Sequence, residues 1–230
     1  MEQNQQGRSM IEMLGVLAII GVLSVMGLAG YTKAMAKYKS NTMVQYITQT
    51  IQNTRIAFGS QRDYKGMGAN QAEIVNVMFS ADLAPKDMLI MDENGDFIKP
   101  YVFKNTFKGE FSMRPADKTI VGDNAAFIIH LDGIPRNACI DIASSVWGGA
   151  KSGGFVGLTI NQPMLDAAGS NVDDEDASGA VVLTTSCKSS PITQKGKAVY
   201  CGGKGAMPIA AATNGCSDSN NNNTIELKLY

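Results

Sequence analysis

The side chains best suited to covalent chemistry are four cysteines, Cys139, Cys187, Cys201 and Cys216, all in the second half of the chain. None sits in a C-x-x-C pair, and the single histidine, His130, stands far from any zinc-like spacing. An even number of thiols spread through loop-rich sequence favours two disulfides over metal binding. Disulfides in turn require an oxidising compartment, such as the periplasm or the outside of a bacterium. The run Asn171-Val172-Asp173-Asp174-Glu175-Asp176 offers oxygen ligands, yet it lacks the ligand positions and central glycine of an EF-hand loop. It reads as a solvated acidic loop, with calcium binding as the alternative. His130 alternates with apolar neighbours in Phe127–Leu131 and reads as a sheet-face residue. Serine, lysine and aspartate are plentiful, but no spacing pairs a nucleophile with a base, and no phosphate-cradling glycine loop stands out. The sequence therefore predicts no enzyme, no cofactor and no metal site.

A second kind of chemistry is offered by Glu12. It stands at the mouth of the apolar run Met13–Tyr31, 19 residues without a charge or a proline, with Arg8 one helical turn before it. As a helix the run measures about 28 Å, close to the hydrocarbon thickness of a bilayer. A carboxylate at mid-bilayer costs about 2.5–3.5 kcal/mol, and less near the interface. Glu12 is either a solvated carboxylate at the membrane edge or one held for a cation on a neighbouring subunit, and composition does not choose between them. A secretory signal peptide would carry a basic leader, a shorter apolar stretch and an A-x-A-like cleavage site. Here the first seven residues contain no basic side chain, and Thr32-Lys33-Ala34-Met35 continues the helix. A membrane anchor is the favoured reading.

Bulk composition narrows the remaining classes. The 230 residues are 44% hydrophobic and 18% charged, which fits a folded protein of one sizeable domain or two small ones. With 20 basic and 21 acidic residues the net charge is −1, so no broad basic surface exists to bind nucleic acid or anionic lipid.

The elements that must carry these residues are legible in outline. From Thr32 to about Ser60 no proline interrupts a helix, and its apolar positions form two stripes. Tyr31, Ala34, Met35 and Tyr38 lie on one, and Val44, Ile47, Ile51 and Phe58 lie nearly half a turn away on the other. A helix whose apolar face swaps midway must satisfy two partners. Gly15, Gly21, Gly27 and Gly30 permit either close packing of helices or local melting. Beyond Tyr64 the texture changes to short segments and turns. Asn70 is placed to cap a helix carrying Ile74, Val77, Met78 and Ala81 that stops before Pro85. Strands are expected at Phe97–Phe103, Phe107–Met113, Ala125–Leu131, Phe155–Ile160, Ala180–Thr185 and Ile225–Leu229. A second short helix carries Ala138, Cys139, Ile142, Ala143 and Val146 and ends at Trp147-Gly148-Gly149, and Ser217–Asn223 reads as a polar turn. The expected fold class is α+β, with a long amino-terminal helix and a globular head built on a largely antiparallel sheet.

Gly7-Arg8-Ser9-Met10-Ile11-Glu12, followed by the apolar helix, resembles the class III signal of type IV pilins. The resemblance implies cleavage by prepilin peptidase between Gly7 and Arg8, N-methylation of the Arg8 amine, and Glu12 as the fifth mature residue, docking one subunit on another. Gly15, the next glycine, would put Ile20 at the fifth place, so Gly7 is the fitting site. Arg8 stands where that family usually has an apolar residue, at i, i+4 from Glu12. Lys33, Lys37 and Lys39 would by charge alone favour the cytoplasmic side, whereas the resemblance places the leader there. Leu83-Ala84-Pro85-Lys86-Asp87-Met88 and the stretch from Asn137-Ala138-Cys139-Ile140 to Ser145-Val146-Trp147-Gly148 are similar to type IVb pilins, as is the size of a mature chain spanning 8–230. The seven-residue leader is shorter than that class usually has.

The organisation so implied is a leader at 1–7, a transmembrane and filament-core segment at 8–31, an amphipathic helical half at 32–60 and an α+β head at 61–230. In this family a disulfide ties the carboxy-terminal region to the sheet. Of three possible connectivities the resemblance favours Cys139–Cys216 around Cys187–Cys201. The implied function is a structural pilus subunit that polymerises into an extracellular filament for adhesion, aggregation or motility. Its implied partners are further subunits, prepilin peptidase, the assembly platform of the inner membrane, and the membrane itself before assembly. A minor pilin or type II secretion pseudopilin is the second reading, and an anchored periplasmic binding protein the third.

Overall fold

The structure is a computed structural model that describes residues 5–61, 63–118, 123–147, 154–164, 181, 183, 192–202, 206–216 and 222–230. The chain divides into two compact units, Met1–Lys39 and Ser40–Tyr230.

The first unit holds the amino-terminal part of helix α1, which runs from Gln5 to Ala57 without a proline. Between Met10 and Lys39 every side chain is exposed apart from the half-buried Met35.

In the second unit the rest of α1 becomes a core element. Ser40, Met43, Ile47, Thr50, Ile51 and Thr54 are buried at the three- and four-residue spacing of one helix face, and Phe58 follows just past the helix end. The expected second stripe is therefore present, with Met43 added and Val44 only half-buried. Burying Met43, Ile47, Ile51 or Phe58 contributes about 1.5–3 kcal/mol each relative to exposure. Helix α2, Gln71–Ser80, starts where Asn70 Oδ1 accepts from Glu73 N at 3.0 Å, while Glu73 Oε2 accepts from Ala69 N at 2.8 Å. The Asn70 half of this cap is the one the sequence placed, and Glu73 adds the return bond.

The sheet comprises β1 (Phe111–Ala116), β2 (Ala126–Ile134), β3 (Phe155–Ile160), β4 (Ile192–Gln194), β5 (Lys197–Cys201) and β6 (Asn223–Leu229). All pairings are antiparallel, in the order β1-β2-β6-β3-β5-β4. One face carries Met113, Phe127, Ile129, Leu158, Ile160, Tyr200, Ile225 and Leu227. They join the buried α1 stripe with residues of α2, of α3 (Arg136–Ala143) and of α4 (Ile209–Gly215). The opposite face carries a smaller apolar cluster of Ala116, Ala126, Ile128, Val156 and Val199, closed by Met164, Val181 and Leu183. Helices on one face of an antiparallel sheet make the α+β class expected from the sequence.

Several elements differ from the reading. Phe97–Phe103 is no strand. Pro100 has no N–H to give a ladder, and only bridges at Met91–Phe97 and Leu89–Phe103 remain. Asn223 is buried and opens β6 rather than closing a polar turn. Helix α3 ends at Ala143, which leaves Val146 exposed. Most of the expected strand Ala180–Thr185, together with the run 171–176, lies outside the described residues.

Candidate functional site: an apolar helix and a clamped sheet

Gly7 and Arg8 lie within α1, and Glu12 is exposed one turn beyond Arg8. Glu12 is the only carboxylate between Glu2 and Asp63, whereas the same stretch carries Arg8, Lys33, Lys37, Lys39, Arg55 and Arg62. Every large apolar side chain from Met10 to Tyr31 is between 52% and 73% exposed, on all sides of the helix. Among the described residues this is the one helix long and apolar enough to cross a membrane. A helix apolar all round is stable in a bilayer or in a bundle of like helices, and water alone does not suit it. A Cβ built on Gly15, Gly21, Gly27 or Gly30 would meet nothing within 4 Å, so a single chain places no demand on their small size.

In the sheet a second cluster of charge is fully engaged. Glu226 of β6 has a side chain only 4% exposed. Its Oε1 accepts from Arg114 Nη1 of β1 at 3.1 Å and faces His130 Nδ1 of β2 at 2.8 Å. Its Oε2 accepts from Arg114 Nη2 at 3.1 Å and from the Met164 backbone N–H at 2.6 Å. Arg114 Nη2 also donates to Met164 O at 2.7 Å, so the guanidinium and carboxylate together hold one backbone residue by both its polar groups. Burial alone would raise the Glu226 carboxyl. Hydrogen bonds from His130 and Arg114, the Arg114 charge and the Met164 N–H outweigh it and hold the group below its ordinary value. The arrangement fastens the segment after β3 across three strands.

Cys139 of α3 and Cys216 are joined in a disulfide that spans 77 residues of sequence. Cys201 is disulfide-bonded as well, and Cys187 lies outside the described residues. Beside β1 a cleft of about 530 Å³ is lined by Lys65, Gly68, Asn70, Arg114, Pro115 and Asn124. Its polar groups are largely committed already, Asn70 to the α2 cap and Arg114 to Glu226.

Residues 37–201 match the sequence model of the family described as PilS N terminal. The chain belongs to that family. It is a type IV pilin, as the resemblance at Gly7–Glu12 implied. No curated protein matches the pilin. Among solved structures it is similar to the type IV b pilin from Salmonella typhi, at 17% identity and a TM-score of 0.47, over 81% of the pilin and 97% of that chain. It is also similar to TcpA, a type IV pilin from Vibrio cholerae El Tor biotype, at 13% identity and a TM-score of 0.47, over 82% of the pilin and 99% of that chain.

The residues singled out in sequence thus fall in two places on the pilin. Gly7, Arg8 and Glu12 share the start of α1, while Cys139 and Cys216 meet in the head in the pairing the resemblance favoured. His130 is a sheet-face residue as expected, but it belongs to the Glu226 clamp, which sequence reasoning missed. The available signal was a charge at alternate positions of apolar strands, Arg114, His130 and Glu226, each facing away from the helices.

Proposed function

We propose that this pilin is made as a precursor that inserts once into the bacterial inner membrane, with residues 1–7 in the cytoplasm and the head in the periplasm. Prepilin peptidase cuts between Gly7 and Arg8, and the new Arg8 amine is methylated. The assembly platform then extracts the subunit and stacks it into an extracellular filament that serves adhesion, aggregation or motility. In the filament Glu12 pairs with the terminal amine of a neighbouring Arg8, and a Cys187–Cys201 disulfide accompanies Cys139–Cys216. One observation carries this reading: a carboxylate stands alone at the mouth of a helix that exposes apolar side chains on every side from Met10 to Tyr31. A plain anchor gains nothing from Glu12 there, whereas a subunit leaving the bilayer for a low-dielectric core gains a register signal.

Intact-mass analysis and terminal sequencing of sheared surface filaments test it. The expected subunit begins at N-methylated Arg8 and is the most abundant chain in the filament. A chain that retains residues 1–7, or filaments that lack this subunit, would refute the reading. A trace amount at filament ends would make it a minor pilin.

A further inference from the structure

Reactive sulfur is spread very unevenly over the head. Of the eight methionines from Ser40 to Tyr230, seven are at most 3% exposed, whereas Met91 is 47% exposed. Among the described residues no cysteine is free, since Cys139, Cys201 and Cys216 are all in disulfides. Among those residues no thiol therefore competes with Met91 for an oxidant. Met91 belongs to an irregular hairpin over residues 88–104, and the backbone on both sides of it is held. Ile90 N donates to Val102 O at 3.2 Å, and Asp92 N donates to Asp96 O at 2.8 Å. Across the hairpin Met91 bridges to Phe97, whose ring lies edge-on to Phe79 at 5.6 Å. Tyr101 stacks on the other half of this support, at 4.0 Å from Phe79.

Exposure decides which thioethers react, because the oxidant must reach the sulfur. The seven sealed methionines are out of reach unless the core opens, and a sulfoxide there would set a polar oxygen among apolar side chains. Met91 meets neither obstacle. Asp92 and Glu93 follow it in sequence and Asp96 closes the same turn, where Asp92 Oδ1 accepts from Asn94 N and Asp96 N at 2.9 Å. Three carboxylates in one turn disfavour an anionic oxidant and leave a neutral hydroperoxide as the fitting reagent. The Cys139–Cys216 disulfide suits an oxidising compartment, away from the cytosolic thiol pool.

We propose that Met91 is a reversible oxidation site of the head, converted to the sulfoxide by a hydroperoxide and returned to the thioether by a dithiol reductase. The sulfur lone pair takes one oxygen of the peroxide as the O–O bond breaks, and the other oxygen leaves as water. Sulfur loses two electrons and the peroxide gains them. In the return step two reductase thiols close to a disulfide, and the sulfoxide oxygen leaves as water. The exchange turns an exposed apolar side chain into a polar one at a fixed place on the hairpin, while the core keeps its methionines unchanged. The inference rests on the disulfide-bonded head and is independent of the filament reading.

The test treats the detergent-solubilised full chain, disulfides intact, with dilute hydrogen peroxide and follows each head methionine by peptide mass spectrometry. Met91 is expected to become the sulfoxide faster than any of the seven buried methionines, by about tenfold or more. The product is expected to keep the near-ultraviolet circular dichroism of the untreated chain. Methionine sulfoxide reductases for both sulfoxide epimers, supplied with dithiothreitol at a level that leaves the disulfides closed, are expected to restore the thioether without denaturant. Met91→Leu keeps the apolar bulk and is expected to lose the fast sulfoxide, with the seven buried methionines reacting as slowly as before. A buried methionine that reacts as fast as Met91, or a Met91 that stays a thioether, overturns the proposal. So does a product that loses its near-ultraviolet signal, or one that the reductases repair only after unfolding. The wild-type time course decides by itself should Met91→Leu fail to accumulate.

Discussion

Replacing Arg114 tests how much of the head's stability runs through the Glu226 clamp. Arg114→Ala removes both guanidinium bonds to a carboxylate that is only 4% exposed, and it also frees Met164 O. Breaking a fully buried pair from one side costs about 3–5 kcal/mol. Here Glu226 keeps His130 Nδ1 and the Met164 N–H, and Arg114 is itself 26% exposed, so the loss belongs below that range. A loss of about 2–3 kcal/mol lowers the melting temperature of a chain this size by about 4–12 °C. Near-ultraviolet circular dichroism of the detergent-solubilised pilin during heating reads it directly. The companion variant, R114M/E226L, leaves no orphaned carboxylate but strips the buried Met164 N–H and O of these partners, so it also melts below wild type and serves as the pH reference, with no carboxylate at 226 to titrate. The pH dependence supplies a sign. The folded Glu226 carboxyl lies below its ordinary value of 4.5, so its contribution is complete above that value and is lost as pH falls through the folded value. Wild-type stability is therefore expected to fall more steeply below pH 4.5 than that of R114M/E226L. An Arg114→Ala pilin that melts with wild type, or a wild-type pilin that loses stability below pH 4.5 no more steeply than R114M/E226L, would refute the reasoning.

Three further outcomes are expected. Glu12→Ala is made, inserted and cleaved, yet sheared filaments fall sharply on immunoblots, because the amine it would neutralise in the filament core is left unpaired at about 3–5 kcal/mol; Arg8→Phe, which keeps the amine, assembles. Cys139→Ser opens a link across 77 residues and loses about 4 kcal/mol in urea unfolding by the chain-entropy account. Thr54→Val raises the melting temperature, since the Thr54 hydroxyl is buried without a partner and an unmet polar group costs about 1–3 kcal/mol. Thr48→Val, whose exposed hydroxyl donates to Val44 O, serves as the neutral control.

What the sequence disclosed follows from how local each signal is. The apolar run, the second stripe of α1, the Asn70 cap and the strand Phe155–Ile160 are written in neighbouring residues, and each is present in the structure. Strand β5 was missed because Ala198, Val199, Tyr200 and Cys201 are all buried, so the sheet is covered on both faces there and no polar alternation marks it. Helix α4 was missed because Ile209–Gly215 is short, alanine-rich and without an apolar stripe. The clamp was out of reach for another reason. Arg114 and Glu226 stand 112 residues apart, and only the pairing of β1 and β6 on either side of β2 brings them together.

The place of β6 also sets when the head can form. It lies between β2 and β3, yet it is synthesised after the other five strands. Until it arrives, β1 and β2 form one hairpin and β3, β4 and β5 a separate antiparallel set, with nothing in the sheet to join them. Such long-range pairing is slow, because loop closure precedes any reward from contact. A chain still lacking β6 therefore holds two incomplete sheets, whose edges β2 and β3 are open to pairing with other chains. The sheet becomes whole only once residues 223–229 are in place, so those two edges stay open to their neighbours until the last strand of the sheet has been made and paired.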